Sequence, residues 1–498
     1  MTPLRIVLVK PSKYHENGSV ARFQLGLMPN ATLFHLASMI PDQVAGVRTE
    51  RHLVDEYVHC DLDYLSLLRA DRGEKVLLAL VGVQSHQLHR ALDLAAFARA
   101  NGVEHCVIGG PHPMTCDTTP LHGRGLSFAL SEGEVVWQSI LEDAARGQLA
   151  PTYGGSQRWA KKLEQTVITP PSKAELERYW APMLGIYPVR GCPYTCNFCS
   201  VIKIAGRALR SASIETTLES LRRAAAAGVT TVMFTSDNFN KYPEVHELCA
   251  AMAEEKLPLR FFCQCDSKIA DDPELVRAMA AAGCFHMFVG VESFDRSVLR
   301  AARKLHNRPD RYREIVELCR EFGIESHFSN IIGFPEQERS HILEHIAALR
   351  ELGPDVASFY VLCPIPGTEQ YDDFKARGLI FETNLDRFDA TSPTWRHPHL
   401  APDELASLLI HCYREFYKNP GERARSGESA RQYAMLSRYA ANRGMHPMAG
   451  GIHPVVLDSA ADYAKLRWRT FGCDLAPLPS SLYVSAAEAL RFVDAPDA

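Results

Sequence analysis

The chain has 498 residues, 46% of them hydrophobic and 23% charged, which is the composition of a globular protein of about three domains. A formal charge of −5 supplies no general attraction to nucleic acid or anionic lipid, and no apolar run reaches the roughly 18 residues of a spanning helix. Fourteen cysteines in a chain of this length are not the dense framework of a small secreted domain, so a reducing cytoplasm is the expected compartment.

The apolar run at the N-terminus ends too soon for a secretory signal and reads as a strand over 5–10. Further short apolar runs near 75–83, 105–110 and 126–131 alternate with helix-like stretches. One of these, 86–101, keeps its apolar positions at helical spacing up to Gly102. Such alternation predicts a doubly wound, Rossmann-like α/β domain over 1–146, whose ligands bind beyond the carboxyl ends of the strands. Those ends are Val83-Gln84-Ser85-His86, Gly109-Gly110-Pro111-His112 and Ser131-Glu132-Gly133-Glu134, where glycine lets backbone approach a large ligand. No GxGxxG follows the first strand to suggest a dinucleotide. Residues 147–180 carry Pro151, Gly154, Gly155 and a Pro170-Pro171 pair without a sustained period, and predict a linker along the surface.

From 185 the alternation resumes, with strands expected at 185–190, 230–237, 260–265, 286–293, 326–333 and 356–363 and helices such as 214–227 and 273–282 between them. Six units predict a partial (β/α)6 TIM-like barrel over 181–380, with its chemistry at the carboxyl ends of the strands. After the first strand comes Gly191-Cys192-Pro193-Tyr194-Thr195-Cys196-Asn197-Phe198-Cys199-Ser200. Cys192, Cys196 and Cys199 suit a loop folded over an iron–sulfur cluster, and the missing fourth thiolate leaves one iron open. A structural zinc site is the alternative; it needs a fourth Cys or His close by, and the next are His246 and Cys249. Later strand ends carry Ser236-Asp237-Asn238 and Glu292-Ser293. Asp237 and Asn238 equally suit a cap or turn, and Ser293 with Asp295 a helix start. Residues 381–498 are nearly neutral and lack metal spacing or a phosphate loop. Helices expected at 402–417 and 429–442 make this a mainly helical C-terminal domain covering the substrate pocket. His446 and His453 could be ligands there, but unpaired histidines are more often packing or surface residues.

The CxxxCxxC run with Phe198 before its last cysteine resembles the signature of radical S-adenosylmethionine (SAM) enzymes. The resemblance implies a 4Fe-4S cluster on Cys192, Cys196 and Cys199 whose open iron chelates SAM. It implies reductive cleavage of SAM to methionine and a 5′-deoxyadenosyl radical, fed by an electron donor such as a flavodoxin or ferredoxin. It further implies SAM contacts from Phe198, Ser236, Asp237, Asn238, Glu292, Ser293, Ile332 and Gly333. The last two stand in Ser329-Asn330-Ile331-Ile332-Gly333, which resembles the family's adenine-binding fifth-strand motif with Ser329 where a glycine is usual. Pro364-Ile365-Pro366-Gly367-Thr368 after the sixth strand matches the same branch.

The three loops of the first domain are similar to those of cobalamin-binding domains that precede radical SAM barrels. By that likeness Ser85, Gly109, Gly110, His112, Glu132, Gly133 and Glu134 would meet cobalamin, and the loop from Pro11 to Asn30 would approach the corrin. The Asp-x-His-x-x-Gly run that supplies a histidine to cobalt is absent. Two cofactor domains in one chain then imply a cobalamin-dependent methyltransferase. It would move a methyl group from SAM through methylcobalamin to an unactivated carbon, or a phosphorus centre, of a small-molecule or peptide substrate. A cobalamin-dependent cyclase or rearrangement enzyme would share every motif. A tRNA methylthiotransferase would need a second cluster on Cys60, Cys106 and Cys116, yet Cys106 falls within a strand and a basic tail for RNA is missing. A corrinoid-binding sensor with a vestigial cluster motif is the non-enzymatic alternative, and the intact three-cysteine run argues against it.

Overall fold

The computed structural model describes residues 2–14, 20–23, 25–26, 28–59, 63–163, 167–179 and 183–418. Seven strands build the first sheet: β1 (Leu4–Lys10), β2 (Gln43–Val44), β3 (Val47–Asp55), β4 (Lys75–Leu80), β5 (His105–Gly109), β6 (Ser127–Ala129) and β7 (Thr152–Tyr153). Their order is β2-β3-β1-β4-β5-β6-β7, parallel except for the β2–β3 hairpin. β1 reads as an unbroken apolar run because both of its faces are covered. Ile6 and Leu8 pack with Trp137 and Ile140 on one side, and Val7 and Val9 with Leu88 and Leu92 on the other. β3 carries no such signal: Arg48, Glu50 and Arg51 stand where the sheet nears its edge, and polar residues there guard it. The chain reverses its direction of strand addition between β1 and β4, which opens a crevice at their carboxyl ends.

The described part of 147–180 is mostly exposed, but it is anchored to both layers. β7 extends the first sheet beside β6, and Ile168 and Leu176 enter the core of the next layer. Single apolar anchors between prolines and glycines leave no period to read, and tertiary packing alone reveals them.

The second sheet has six parallel strands in sequential order: β8 (Met183–Ile186), then, after a small hairpin of β9 (Val189–Arg190) and β10 (Arg210–Ser211), β11 (Thr231–Phe234), β12 (Arg260–Cys265), β13 (Cys284–Glu292), β14 (Glu325–Ile332) and β15 (Val356–Val361). Side chains alternate across it. Leu184, Val232, Phe234, Met287, Val289 and Phe359 point outward beneath the helices, whereas Met183, Met233, Phe262 and Phe288 gather on the concave face.

This barrel is open, so β15 is an edge. The helix Pro402–Phe416 lays Leu405, Leu408, Leu409 and Cys412 into the barrel core, and residues just past 380 are therefore part of the barrel wall. The Tyr413 hydroxyl accepts from Phe359 N (3.1 Å) and donates to Phe359 O (3.0 Å). The Tyr417 hydroxyl does the same for Ala357 (3.0 and 2.7 Å), so two phenols satisfy the free edge. The predicted helix at 429–442, His446 and His453 lie outside the described residues. Among the described residues no helix is long and apolar enough to cross a membrane.

Candidate active site

The cysteine loop is pinned at several points. Gly191 adopts φ +102° and donates its N–H to Asp237 Oδ2 (2.9 Å); Cys192 N bonds Gly206 O (3.1 Å) and Asn197 N bonds Ala302 O (3.2 Å). A side chain at Gly191 would meet Ala208 O at 2.3 Å, so only glycine permits this turn. The three thiols form no disulfide, and burial pushes each of them up, Cys199 to about 12. Among the described residues no three His, Cys, Asp or Glu side chains close on a single ion. The thiols lie close enough on one loop to feel one another's charge, and three thiolates without a fourth Cys or His ligand suit a cluster with an open iron better than a structural zinc. Tyr194 stacks flat on His306 (3.6 Å, 10°), and Phe198 stands edge-on to Phe334 at 6.0 Å.

Around this loop the barrel strands end in polar groups. Ser236 is fully buried and its hydroxyl has no partner, a donor and acceptor waiting for a ligand. Asn238 exchanges two hydrogen bonds with Asp266 at the end of β12 (3.0 and 2.8 Å) while its amide stands 4.0 Å from Cys192 Sγ. Glu292 closes β13 with φ +60°, a left-handed angle that costs a non-glycine residue about 1–3 kcal/mol. Its carboxylate pairs with Lys304 (3.0 Å) and accepts from Ser329 (3.4 Å). Ser293 N turns back to Val291 O at 2.7 Å. Gly333 (φ +78°) donates to Gln337 Oε1 at 2.8 Å beside the buried Ile332. Sequence reasoning missed Lys304 and Asp266. Burial alone would lower Lys304, but Glu292 and the thiols of Cys196 and Cys199 more than offset it and raise it, so this ammonium stands between Glu292 and the cysteine loop.

A cleft of about 220 Å³ lies where the carboxyl ends of the two sheets face each other. Gly109, Gly110, Glu132, Gly133 and Glu134 line it from the first domain; Tyr187, Arg190, Thr235 and Asp237 line it from the barrel. A Cβ on Gly110 would sit 2.2 Å from Val83 N, and one on Gly133 2.4 Å from Leu36. The floor is apolar, with Val107, Ala129, Val136 and Ile140, and it holds the buried Trp137, whose indole N–H has no partner. Close packing within the first domain requires Gly110 and Gly133, while an orphaned donor in an apolar slot fits the insertion of an organic cofactor.

Four of the expected cofactor contacts also have protein partners. Glu132 is bidentate to Arg210 (2.6 and 2.7 Å), and Glu134 is held by Arg190 (2.8 Å) and His35 (2.6 Å), so both carboxylates tie the first domain to the barrel. Ser85 and His112 are bonded to each other at 2.9 Å, off the lining of the cleft. Burial and the nearby His89 lower His112 to about 4, which keeps its ring neutral near pH 7. Spacing could place all four at strand ends but could not say which way each side chain turns.

A second, larger cavity of about 450 Å³ adjoins the cleft, sharing Thr32, Tyr187 and Thr235 with it. Its barrel side is Met183, Gly185, Met233, Phe262, Gln264, Phe288 and Tyr360. Its other side is Lys10, Asp55 and Tyr57 from the first domain, with Met28, Pro29 and Asn30 from the long first loop.

A parallel open barrel with three cysteines on the loop after its first strand defines an enzyme class, and the comparisons agree. The Radical SAM superfamily profile matches residues 186–349. The chain is 26% identical over 331 residues to the bacteriochlorophyllide d C-12(1)-methyltransferase of Chlorobaculum tepidum, covering 64% of this chain and 70% of that protein. It is 31% identical over 269 residues to the hopanoid C-2 methylase of Rhodopseudomonas palustris, covering 52% and 49%. The solved structure of the radical S-adenosylmethionine methyltransferase TsrM from Kitasatospora setae, with cobalamin and a [4Fe-4S] cluster bound, matches with TM-score 0.63 and 16% identity over 94% of this chain and 99% of that one. Residues 186–349 form a radical SAM domain, and the fold of the chain is that of the TsrM structure.

Proposed function

We propose that this protein is a cobalamin-dependent radical SAM methyltransferase acting on an unactivated carbon, or a phosphorus centre, of a small-molecule or peptide substrate. The observation that carries the reading is the meeting of two sets of strand ends on one cleft, with the cysteine loop at its border. When bound, the cluster with SAM supplies a carbon-centred radical and the corrinoid supplies the methyl group.

The chain's own residues bind, orient and exclude water. Cys192, Cys196 and Cys199 hold the cluster. Ser236, Asn238, Glu292, Lys304 and the Ile332–Gly333 turn receive SAM, and Gly109, Gly110, Gly133 and Trp137 take the corrinoid. The pairs Glu132–Arg210 and Glu134–Arg190 hold the two cofactor platforms in register. The relatives named for methylating a bacteriochlorophyllide and a hopanoid favour a carbon skeleton as substrate. Beside the loop, Lys203 and Arg207 are exposed and Leu305 is, among the described residues, the large apolar side chain most open to solvent (71%), a surface suited to an acidic electron carrier of the flavodoxin or ferredoxin type.

The test is anaerobic cluster reconstitution with hydroxocobalamin, a strong reductant and SAM, followed by quantification of methylcobalamin, S-adenosylhomocysteine and 5′-deoxyadenosine. All three should form. Deoxyadenosine with unmethylated cobalamin would refute methyl transfer. Cys196→Ala should lose cluster iron and deoxyadenosine together, and undiminished deoxyadenosine in that variant would refute the cluster assignment.

A further inference from the structure

The charged side chains of the second cavity are already held by the protein. Lys10 Nζ donates to Gly82 O (2.5 Å) and Gln87 Oε1 (2.6 Å), and Asp55 accepts from Tyr57 N (3.2 Å) and the Tyr179 hydroxyl (2.9 Å). Of the uncharged groups, Thr235 donates to Ile186 O (3.0 Å), and the Thr32 and Tyr187 hydroxyls lie 3.4 Å apart. Gln264 lines the same cavity, yet among the described residues its carboxamide has no hydrogen-bond partner.

Gln264 stands on the concave face of β12, two residues after Phe262 and opposite Phe288 of β13. With Met233 across the face, the frame around it is apolar. Two residues further on, about 7 Å along the chain, Asp266 bonds Asn238, whose amide stands 4.0 Å from Cys192 Sγ. A group held by Gln264 therefore lies one layer beneath the cysteine loop.

We propose that Gln264 selects and orients the substrate, which carries an amide whose N–H and C=O share one edge, as in a lactam or a primary carboxamide. The inference rests on reading the cavity as the substrate site. A carboxamide offers a donor and an acceptor side by side, and a second amide edge satisfies both in one plane. A single hydroxyl or ether oxygen engages one half and leaves the other without a partner in an apolar frame. A carboxylate has no hydrogen for the Gln264 oxygen. A trans peptide bond points its N–H and C=O to opposite sides, so a peptide backbone does not fit and a lactam or side-chain amide does. The apolar frame takes the skeleton that bears this edge, and the paired bonds fix which of its carbons faces the cysteine loop.

Calorimetric binding of three flat probes to the full-length, cofactor-free protein tests this. The lactam 2-quinolinone presents the edge, 1-methyl-2-quinolinone has its N–H blocked, and 4-methyl-2-quinolinone carries the same extra carbon away from the edge. The 1-methyl probe should bind about ten-fold more weakly than the other two. Gln264→Leu, which removes the polar atoms and keeps most of the volume, should bring all three within about two-fold of one another at an unchanged urea midpoint. Equal binding of the probes by the unaltered protein, or a preference that survives in Gln264→Leu, overturns the proposal. A corrin ring also bears side-chain amides, so hydroxocobalamin is titrated into both proteins. Equal affinities are expected; a loss of affinity in Gln264→Leu would assign this carboxamide to the cofactor and overturn the substrate reading. Methylcobalamin formed by the unaltered protein after reconstitution reports separately on methyl transfer, so either reading can fail alone.

Discussion

Glu292 adopts a left-handed backbone angle at the end of β13, where its carboxylate is buried against Lys304 and Ser329. Strain of that kind survives only where surrounding contacts over-determine it, and it collects at functional sites. The β13 end was legible because Gly-Val-Glu-Ser stands where a barrel strand should stop. Lys304, twelve residues on, belongs to no motif and is found only through the fold. Removing one partner of a buried ion pair strands the other. Lys304→Met should therefore lower stability by about 3 kcal/mol in urea unfolding. SAM affinity, measured by calorimetry on the reconstituted protein, should fall with it. Unchanged stability and affinity would show that the pair is incidental.

Among elements, the helix Ala31–Ser38 decides how the two sheets meet. Asn30 caps it, accepting from Leu33 N at 3.0 Å, and its first residue presses on β8, where a Cβ on Gly185 would stand 2.3 Å from that of Ala31. Glycine in the middle of a strand marks close approach by another element. Gly185→Val should push this helix away, costing about 1–3 kcal/mol by overpacking. Because the helix also lines both cavities through Thr32, hydroxocobalamin affinity followed by absorbance should weaken as well. Wild-type affinity in that variant would mean that the helix does not set the spacing. The linker shows the same limit from the other side: Pro and Gly punctuation hid β7, because a two-residue strand has no period.

Across the whole molecule, buried charges at the head of the first domain set the response to acid. Glu56 is wholly buried; burial by itself would raise its carboxyl, but Arg90 and Arg22 with their hydrogen bonds more than offset this and hold it at about 2 against an ordinary 4.5. A carboxyl depressed in the folded state adds stability that is complete above its ordinary value and disappears as pH falls through the folded one. The contribution is about 3 kcal/mol, so unfolding stability should decline from about pH 5 toward pH 2. Glu56→Gln should be less stable near neutrality and should lose this part of the acid slope. An acid limb identical in both proteins would place the sensitivity elsewhere.

The order of elements and the nature of the cysteine loop came from the chain alone, because strand–helix alternation and close thiol spacing are local properties. The same local logic put Ser236, Asn238 and Glu292 at strand ends, as a parallel barrel requires. Tertiary structure decided what those groups face. It turned Glu132 and Glu134 to the barrel's arginines and His112 to Ser85, and it brought Lys304 to Glu292. It also aligned Glu325, His286, His327 and Ser358 from three strands. Side-chain direction and cross-strand register depend on packing between segments far apart in sequence, and no local pattern in the chain encodes them.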